Sequence, residues 1–341
     1  MKAAVFYGKQ DIRIEDIPMP KVGDDDVLIR VKACGVCGTD VHIYHGNQGS
    51  ADVVPPRVLG HEFSGMVEEV GKNVTEFQPG DRVCADPNKL CGACYYCRSG
   101  IGHFCEHMTI YGVSENGGFA QFCSVNKSQV LKLAAWTAYH EGAMAESVSC
   151  CLHGMDMCNI KSGQKVAVIG GGMIGLIMIQ LAVIAGASRV ALIEPVEGKR
   201  KMGEKLGAAV CIDPASQDVR GELEKSGIDR LDAVIECVGL PETMEQAIEL
   251  AGRKSVAMLF GLSSPEATIT VKPFDLFRRE VDIKASYINP YTIDRAAELI
   301  NSRRIDVGFM QCDPLPLERL ADAVSDPELR RQGKLIIDPA L

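Results

Sequence analysis

From Lys165 onward short apolar runs alternate with longer amphipathic stretches. "KVAVIG", "RVALIE", "AVCIDP", "DAVIECVG", "KSVAMLFG" and "VDIKAS" read as strands, and the connections between the earlier pairs carry helical periodicity. Strands that are apolar at every position, rather than at alternate ones, are covered on both faces. The pattern therefore predicts an α/β doubly wound parallel sheet over residues 148–285. Residues 1–147 read differently: Pro18, Pro20, Pro55, Pro56, Pro79 and Gly80 punctuate short strands such as "DVLIRVKACGV" and "FSGMVEEVG", which predicts a mostly β half. After residue 285 the chain returns to helix and short strand, ending in "GKLIID". Adding this tail to the first half makes 1–147 with 286–341 one domain and 148–285 an insertion. One stretch, Val166–Ala187, runs 22 residues without a charge and is long enough to span a membrane. Gly170, Gly171 and Gly172 break it, so it reads as a buried strand, a turn and a helix.

Composition narrows the function classes. A chain of 341 residues with 46% hydrophobic and 24% charged positions is globular and has room for two cores. Thirty-six basic against 45 acidic residues give a net charge of -9, the wrong sign for a surface that neutralises phosphates, so no nucleic-acid partner is expected. The N-terminal stretch "MKAAVFYGKQDIRIEDIP" becomes acidic too early for a signal peptide, which predicts a cytoplasmic protein. Its 14 cysteines are then expected as thiols or metal ligands rather than disulfides.

Three groups of residues carry chemistry. The turn "GGGMIG" places Gly170, Gly172 and Gly175, with Met173 and Ile174 between the last two, directly after a strand and at the start of a helix. There glycines allow a tight turn and close backbone approach, and the helix N-terminus offers free N–H groups to a pyrophosphate. Glu194, 19 residues past Gly175, ends the next strand, where it can accept from a ribose and repel a 2'-phosphate. That favours NAD, although Lys199 and Arg200 close by weaken the preference. In "CGACYYCRSGIGHFC", Cys91, Cys94, Cys97 and Cys105 supply four thiolates with the close spacing of a closed structural zinc site. A redox pair would leave two of the four unexplained, and an iron–sulfur cluster is the remaining alternative. Cys37 in "CGVCGTDVH", the His61–Glu62 pair in "LGHEFSG" and Glu146 in "AMAESVSCC" sketch a mixed S, N and O site of the catalytic type. Taken singly, each has a plain alternative as a core thiol, a satisfied buried histidine or a capping acid. Cys34, Cys84, Cys123, Cys150, Cys151, Cys158, Cys211, Cys237 and Cys312 show no pairing pattern and are expected as core thiols.

With these residues assembled, the chain resembles the zinc-dependent medium-chain dehydrogenases of the alcohol dehydrogenase superfamily. "CGTDVH", "GHEFSG", "PGDRV", the four-cysteine segment and "VIGGGMIGL" match in order and spacing over essentially the whole chain. "AESVSCCLHG" looks most like the sorbitol (polyol) branch, and "CGTDVHIY" equally like threonine 3-dehydrogenase. The resemblance implies a Rossmann domain inserted into a GroES-like catalytic domain with a structural zinc lobe at 88–107. It also implies two zinc ions per chain, NAD as cofactor and a homodimer or homotetramer. It places Cys37, His61 and Glu62 around catalytic zinc, with Glu146 completing the shell directly or through water. Asp40 would orient His61, Thr39 would pass the alcohol proton toward the cofactor ribose, and His42 would release it. Arg200 is implied near the cofactor. The implied activity is reversible oxidation of a secondary alcohol, as in polyol to ketose, with a 3-hydroxy amino acid or vicinal diol as the alternative substrate. A non-catalytic regulator of the same fold that binds nucleotide and zinc is the contrasting reading. Polyol dehydrogenases carry Arg-Tyr where "KASYINPY" places Ile288 and Asn289, so the usual clamp on a sugar alcohol is missing.

Overall fold

The computed structural model describes residues 1–47, 52–309 and 311–341. The chain forms two compact units, Met1–Ser149 with Pro290–Leu341, and Cys150–Asn289.

In the first unit, strands β1 (Lys2–Gly8), β2 (Asp11–Asp16) and β4 (Arg57–Val58) form a three-stranded sheet in the order β2-β1-β4. The main sheet is built around β3 (Asp26–Gly35), which pairs antiparallel with β5 (Glu62–Val70), β9 (Phe122–Asn126) and the late strand β17 (Ile336–Ile337). β6 (Arg82–Ala85) and β10 (Val130–Lys132) extend it beyond β5. Because β3 has neighbours on both edges, Val27, Ile29, Val31 and Cys34 are buried and join Leu59, Phe63 and Phe119 in one core. Each large apolar side chain there stabilises the fold by about 1.5–3 kcal/mol. Two register relations shape one corner of this sheet: Gly35 lies opposite Glu62, and Ile336 lies opposite Gly35. The end of β3, the start of β5 and the chain's last strand therefore meet there. Helix α1 (Gly38–Tyr44) leaves that corner, its first backbone turn tied by Cys37 N–H donating to Asp40 Oδ2 at 2.9 Å. A two-stranded ribbon, β7 (Asn88–Lys89) with β8 (Thr109–Ile110), closes the base of a lobe that contains the short helix α2 (Tyr95–Arg98).

Helix α3 (Tyr139–Ala143) precedes α4 (Ala145–Cys158), and the division between the units falls within α4. In the second unit a six-stranded parallel sheet runs β13-β12-β11-β14-β15-β16, with β11 Lys165–Ile169, β12 Arg189–Ile193, β13 Val210–Ile212, β14 Ala233–Glu236, β15 Val256–Leu259 and β16 Asp282–Ala285. The order reverses between β11 and β14, the switch point at which open parallel sheets bind ligands beyond their carboxyl ends. The long apolar run resolves into β11 and helix α5 (Met173–Ile184), and among the described residues no helix is long and apolar enough to cross a membrane. Of the nine cysteines expected in cores, Cys34, Cys84, Cys123, Cys151 and Cys158 are buried. Cys150, Cys211, Cys237 and Cys312 are only half-buried, because they sit at element ends or on the partly covered faces of helix and strand.

Candidate metal centres and dinucleotide site

In the lobe the sulfurs of Cys91, Cys94, Cys97 and Cys105 all lie within 4.8 Å of one another, with Cys91 Sγ 3.9 Å from Cys97 Sγ. A tetrahedron of zinc–sulfur bonds has sulfur edges of about 3.8 Å, whereas an iron–sulfur cluster holds its thiolates further apart. Backbone N–H groups aim at the sulfurs: Ala93 and Cys94 donate to Cys91 at 3.4 Å, and Cys91 and His107 donate to Cys105 at 3.3 and 3.4 Å. The N–H groups of Cys97 and Glu106 draw the Cys94 thiol down to about 6, toward the thiolate that a metal requires. The fit is to a closed, all-thiolate site.

A second group forms at the corner of the main sheet. Cys37 caps α1, His61 and Glu62 open β5, and one donor atom from each lies within 4.8 Å of the others. Glu146, in the first turn of α4, stands outside this close trio and is 9% exposed. Its charge still favours protonated His61 and protonated Lys334. Asp40 is fully buried, and its Oδ1 lies 3.7 Å from His61 Nδ1, which leaves Nε2 as the ring atom free to ligate. Burial alone would lower the His61 pKa, but the neighbouring Asp40 and Cys37 more than offset this and hold it well above the ordinary value. Burial raises the Asp40 pKa, with His61 opposing. Asp40 Oδ1 and His61 Nδ1 are buried without a hydrogen bond, and with the Glu62 carboxylate beside them the group is rich in negative charge, as suits a cation. Thr39 and His42 are half-buried and share one face of α1 at spacing i, i+3.

Sequence reasoning missed Lys334. Its ammonium contacts Glu62 Oε2, and Ser147 Oγ donates to Glu62 Oε1 at 2.9 Å. The two side chains of the ion pair are only 11% and 2% exposed. Burial works against both charges, and their mutual attraction wins: Glu62 is held below the usual carboxylate range and Lys334 above the usual amine range. Removing one partner of such a pair typically costs about 3–5 kcal/mol, because the other charge is left uncompensated. A Cβ on Gly35 would fall 2.2 Å from Glu62 Oε2 and 3.0 Å from Lys334 Cε, so only glycine leaves room for the pair. The sequence signal was weak: a lysine beside "LII" marks a cation next to a buried strand, but many surface lysines look the same.

The second unit carries the dinucleotide features. Gly170 follows β11 with φ +98°, and a Cβ on Gly175 would lie 1.8 Å from Gly170 O, so both positions require glycine. Gly172 caps α5, and Met173 and Ile174 form its first turn. Glu194 is 5% exposed and braces the turn, accepting from Gly171 N–H at 2.6 Å through Oε2 and from Val196 N–H at 2.8 Å through Oε1. Arg200 is turned back into the protein: it donates to Glu194 O at 2.8 Å and Pro195 O at 2.6 Å and lies 3.7 Å from Asp213. It braces the strand end, while Lys199 packs its Cβ against the turn at Gly171. Glu236, also missed, is fully buried at the end of β14. Its Oε1 accepts from Val238 N–H, Gly239 N–H and the Thr243 hydroxyl at 2.7, 2.9 and 2.8 Å, and its carbonyl accepts from Phe260 and Gly261 N–H groups. One residue thus fixes the loops after β14 and β15, and Val238 lies directly against Gly170. An acid inside the apolar run "AVIEC" is the signal that could have revealed it. Further along, Ile288 has φ 45° with its carbonyl 3.0 Å from His153 Nδ1, and Asn289 is 3% exposed.

Comparison with known proteins places both units. Residues 23–135 match the alcohol dehydrogenase GroES-like domain, and residues 173–302 match the zinc-binding dehydrogenase domain. The chain is 32% identical over 324 residues to a D-altritol 5-dehydrogenase from Agrobacterium fabrum, covering 94% of each. It is 32% identical over 335 residues to an L-threonine 3-dehydrogenase from Bacillus velezensis, covering 96% of this chain and 95% of that one. Among solved structures, a zinc-binding dehydrogenase from Sinorhizobium meliloti bound to NADP superposes with a TM-score of 0.94 at 35% identity, covering 99% of both chains. These likenesses span nearly the full length of each partner, and the relatives are named dehydrogenases, which sets aside the reading as a regulator without turnover. The chain belongs to the zinc-dependent medium-chain dehydrogenases of the alcohol dehydrogenase superfamily and is an oxidoreductase that works with zinc and a nicotinamide dinucleotide.

Proposed function

We propose that this dehydrogenase oxidises the secondary carbinol of a polyol or sugar alcohol to the ketose, reversibly, with NAD as acceptor. The observation that carries the proposal is the convergence of Cys37, His61 and Glu62 within 4.8 Å beside buried Asp40. Relatives named D-altritol 5-dehydrogenase, at 32% identity, and sorbitol dehydrogenase, at 30% identity, support a polyol as substrate. When bound, zinc would supply the field that lets a carbinol O–H ionise near neutral pH, and the nicotinamide would supply the hydride acceptor. The chain's own groups do the rest. Cys37 and His61 hold the metal, Asp40 fixes the imidazole orientation, and Glu62 and Glu146 set the charge around it. Thr39 takes the carbinol proton and His42 delivers it to solvent along the same face of α1. Glu194 keeps lone pairs for the adenosine ribose after accepting its two backbone bonds, and its charge disfavours a 2'-phosphate, which supports NAD over NADP.

The four cysteines of the lobe take the second, structural zinc. Ile288 and Asn289 replace the Arg-Tyr pair, which supports a weaker grip on a long polyol. Fourteen cysteines fit a reducing cytoplasm. Phe274 and Phe277 on the helix Pro273–Arg279 are 74% and 75% exposed, and edge strand β16 exposes Ile283, which supports a homo-oligomer that covers them. A spectrophotometric screen for NADH formation over polyols, vicinal diols and L-threonine tests the proposal. Turnover fastest on a polyol is the expected result; activity confined to primary alcohols, or to L-threonine, would overturn it.

A further inference from the structure

Glu62 has two claimants. One is a metal held by Cys37 and His61, because a Glu62 oxygen is among the three donor atoms within 4.8 Å. The other is the pair of partners already in place, Lys334 on Oε2 and Ser147 on Oε1. Both oxygens of the carboxylate are engaged, so it cannot turn its full charge to a metal without giving up at least one partner. Lys334 is held in place from several directions. Its carbonyl accepts from Cys312 N–H at 3.0 Å, the next residue's carbonyl accepts from Val36 N–H at 3.0 Å, and Gly35 leaves room for the stem. A cation this well anchored beside a prospective cation site would be a poor arrangement if its only task were stability, since two like charges then share one buried carboxylate.

We propose that Lys334 is a positioning residue that competes with the metal for Glu62 and thereby keeps a coordination position available to the substrate oxygen. The inference rests on the reading of Cys37 and His61 as zinc ligands. Its consequence has a definite sign. A residue that merely supported the fold would, when removed, loosen the site and release metal faster. Removing a competitor frees Glu62 to grip the metal, so release becomes slower while turnover falls.

The test uses the full-length zinc-loaded protein and a chelator in excess, following the release phase that is absent in Cys37→Ser. In Lys334→Met that phase is expected to slow about tenfold or more, with kcat reduced, while Lys334→Arg releases zinc as the unmodified protein does. The double variant Glu62→Gln/Lys334→Met is expected to lose the slowing, because the freed ligand is gone. Cobalt-substituted Lys334→Met should show a changed visible absorption spectrum, reporting a changed ligand set independently of activity. Should Lys334→Met fail to fold, Ser147→Ala, which removes the other partner of Glu62, is expected to slow release in the same direction by a smaller factor. Release at the original rate or faster in these variants, or slowing that persists in the double variant, would overturn the inference. An unmodified protein that holds zinc only in the lobe would overturn the underlying reading as well, and its zinc content alone would show this.

Discussion

The two candidate metal-binding groups of the first unit are built on opposite principles. The lobe gathers four like candidate ligands from 15 consecutive residues, Cys91 to Cys105, and the backbone of that segment and the two residues after it supplies the N–H groups that favour thiolates. It is mostly exposed and has little core, so a metal bound there would provide much of its folding energy; structural zinc contributes roughly 10–16 kcal/mol in isolated small domains. The group at Cys37 draws unlike donors from the N-cap of α1 and the start of β5, with Glu146 of α4 and Lys334 just before β17 close by, and its His61 and Glu62 are buried. Packing builds it first and metal completes it. Spacing along the chain is enough for a local site, whereas a distributed one needs the whole fold.

The sharpest way to break this contrast is to remove one ligand from each. Cys37→Ser should lose one zinc equivalent and about 10³-fold or more of kcat/KM while its thermal midpoint changes little; Cys97→Ser should lose the other equivalent and lower the midpoint markedly. Elemental analysis, kinetics and calorimetry read all three quantities, and equal destabilisation by both variants would erase the distinction. Acid should also separate the sites. A proton and a metal compete for the His61 lone pair, and because its metal-free pKa is held above 6.5, zinc affinity at the Cys37 centre should begin to fall as pH drops below that raised value. In the metal-free protein the sign reverses for stability. A raised folded pKa contributes stability that is full below about 6.5, the unfolded value, and is lost as pH climbs through the folded one. Chelator competition and denaturant midpoints across pH 5 to 9 measure both trends.

Smaller effects are expected in the second unit. Glu236→Gln keeps an acceptor at Oε1 but places an amide beside Gly239 and Gly261, so KM for NAD should rise roughly 5- to 10-fold with kcat less affected; NADH fluorescence titration checks it. Glu194→Ser should shift preference toward NADP by a smaller factor, because Arg200 is committed to Glu194 O and Pro195 O and cannot readily meet a 2'-phosphate. The ratio of kcat/KM for the two cofactors, before and after, decides.

What could be read from the sequence obeys the same division between local and distributed. The strand, glycine turn and helix at 165–184 and the four-cysteine spacing are contained within short windows, where periodicity and separation carry the physics. Cys37, His61, Glu62 and Glu146 could be named as donors, but only the pairing of Gly35 with Glu62 brings the first three together. Lys334 and Glu236 escaped because their roles lie in what they touch: one neutralises a carboxylate 272 residues earlier, and the other knots two loops. The surroundings of Arg200 were hidden for a related reason. Its charge is visible in sequence, while the carbonyls that absorb it are not.

The separation of Glu62 from Lys334 along the chain also orders their synthesis. Glu62 leaves the ribosome 272 residues before its counter-ion does, an interval of about 15–50 s at ordinary elongation rates. Throughout that interval β17 is missing from the sheet and the carboxylate has no ammonium beside it. A metal that reached the nascent chain in that interval would meet Glu62 without Lys334, and the pairing of β17 with β3 would then bring the competing cation to the carboxylate.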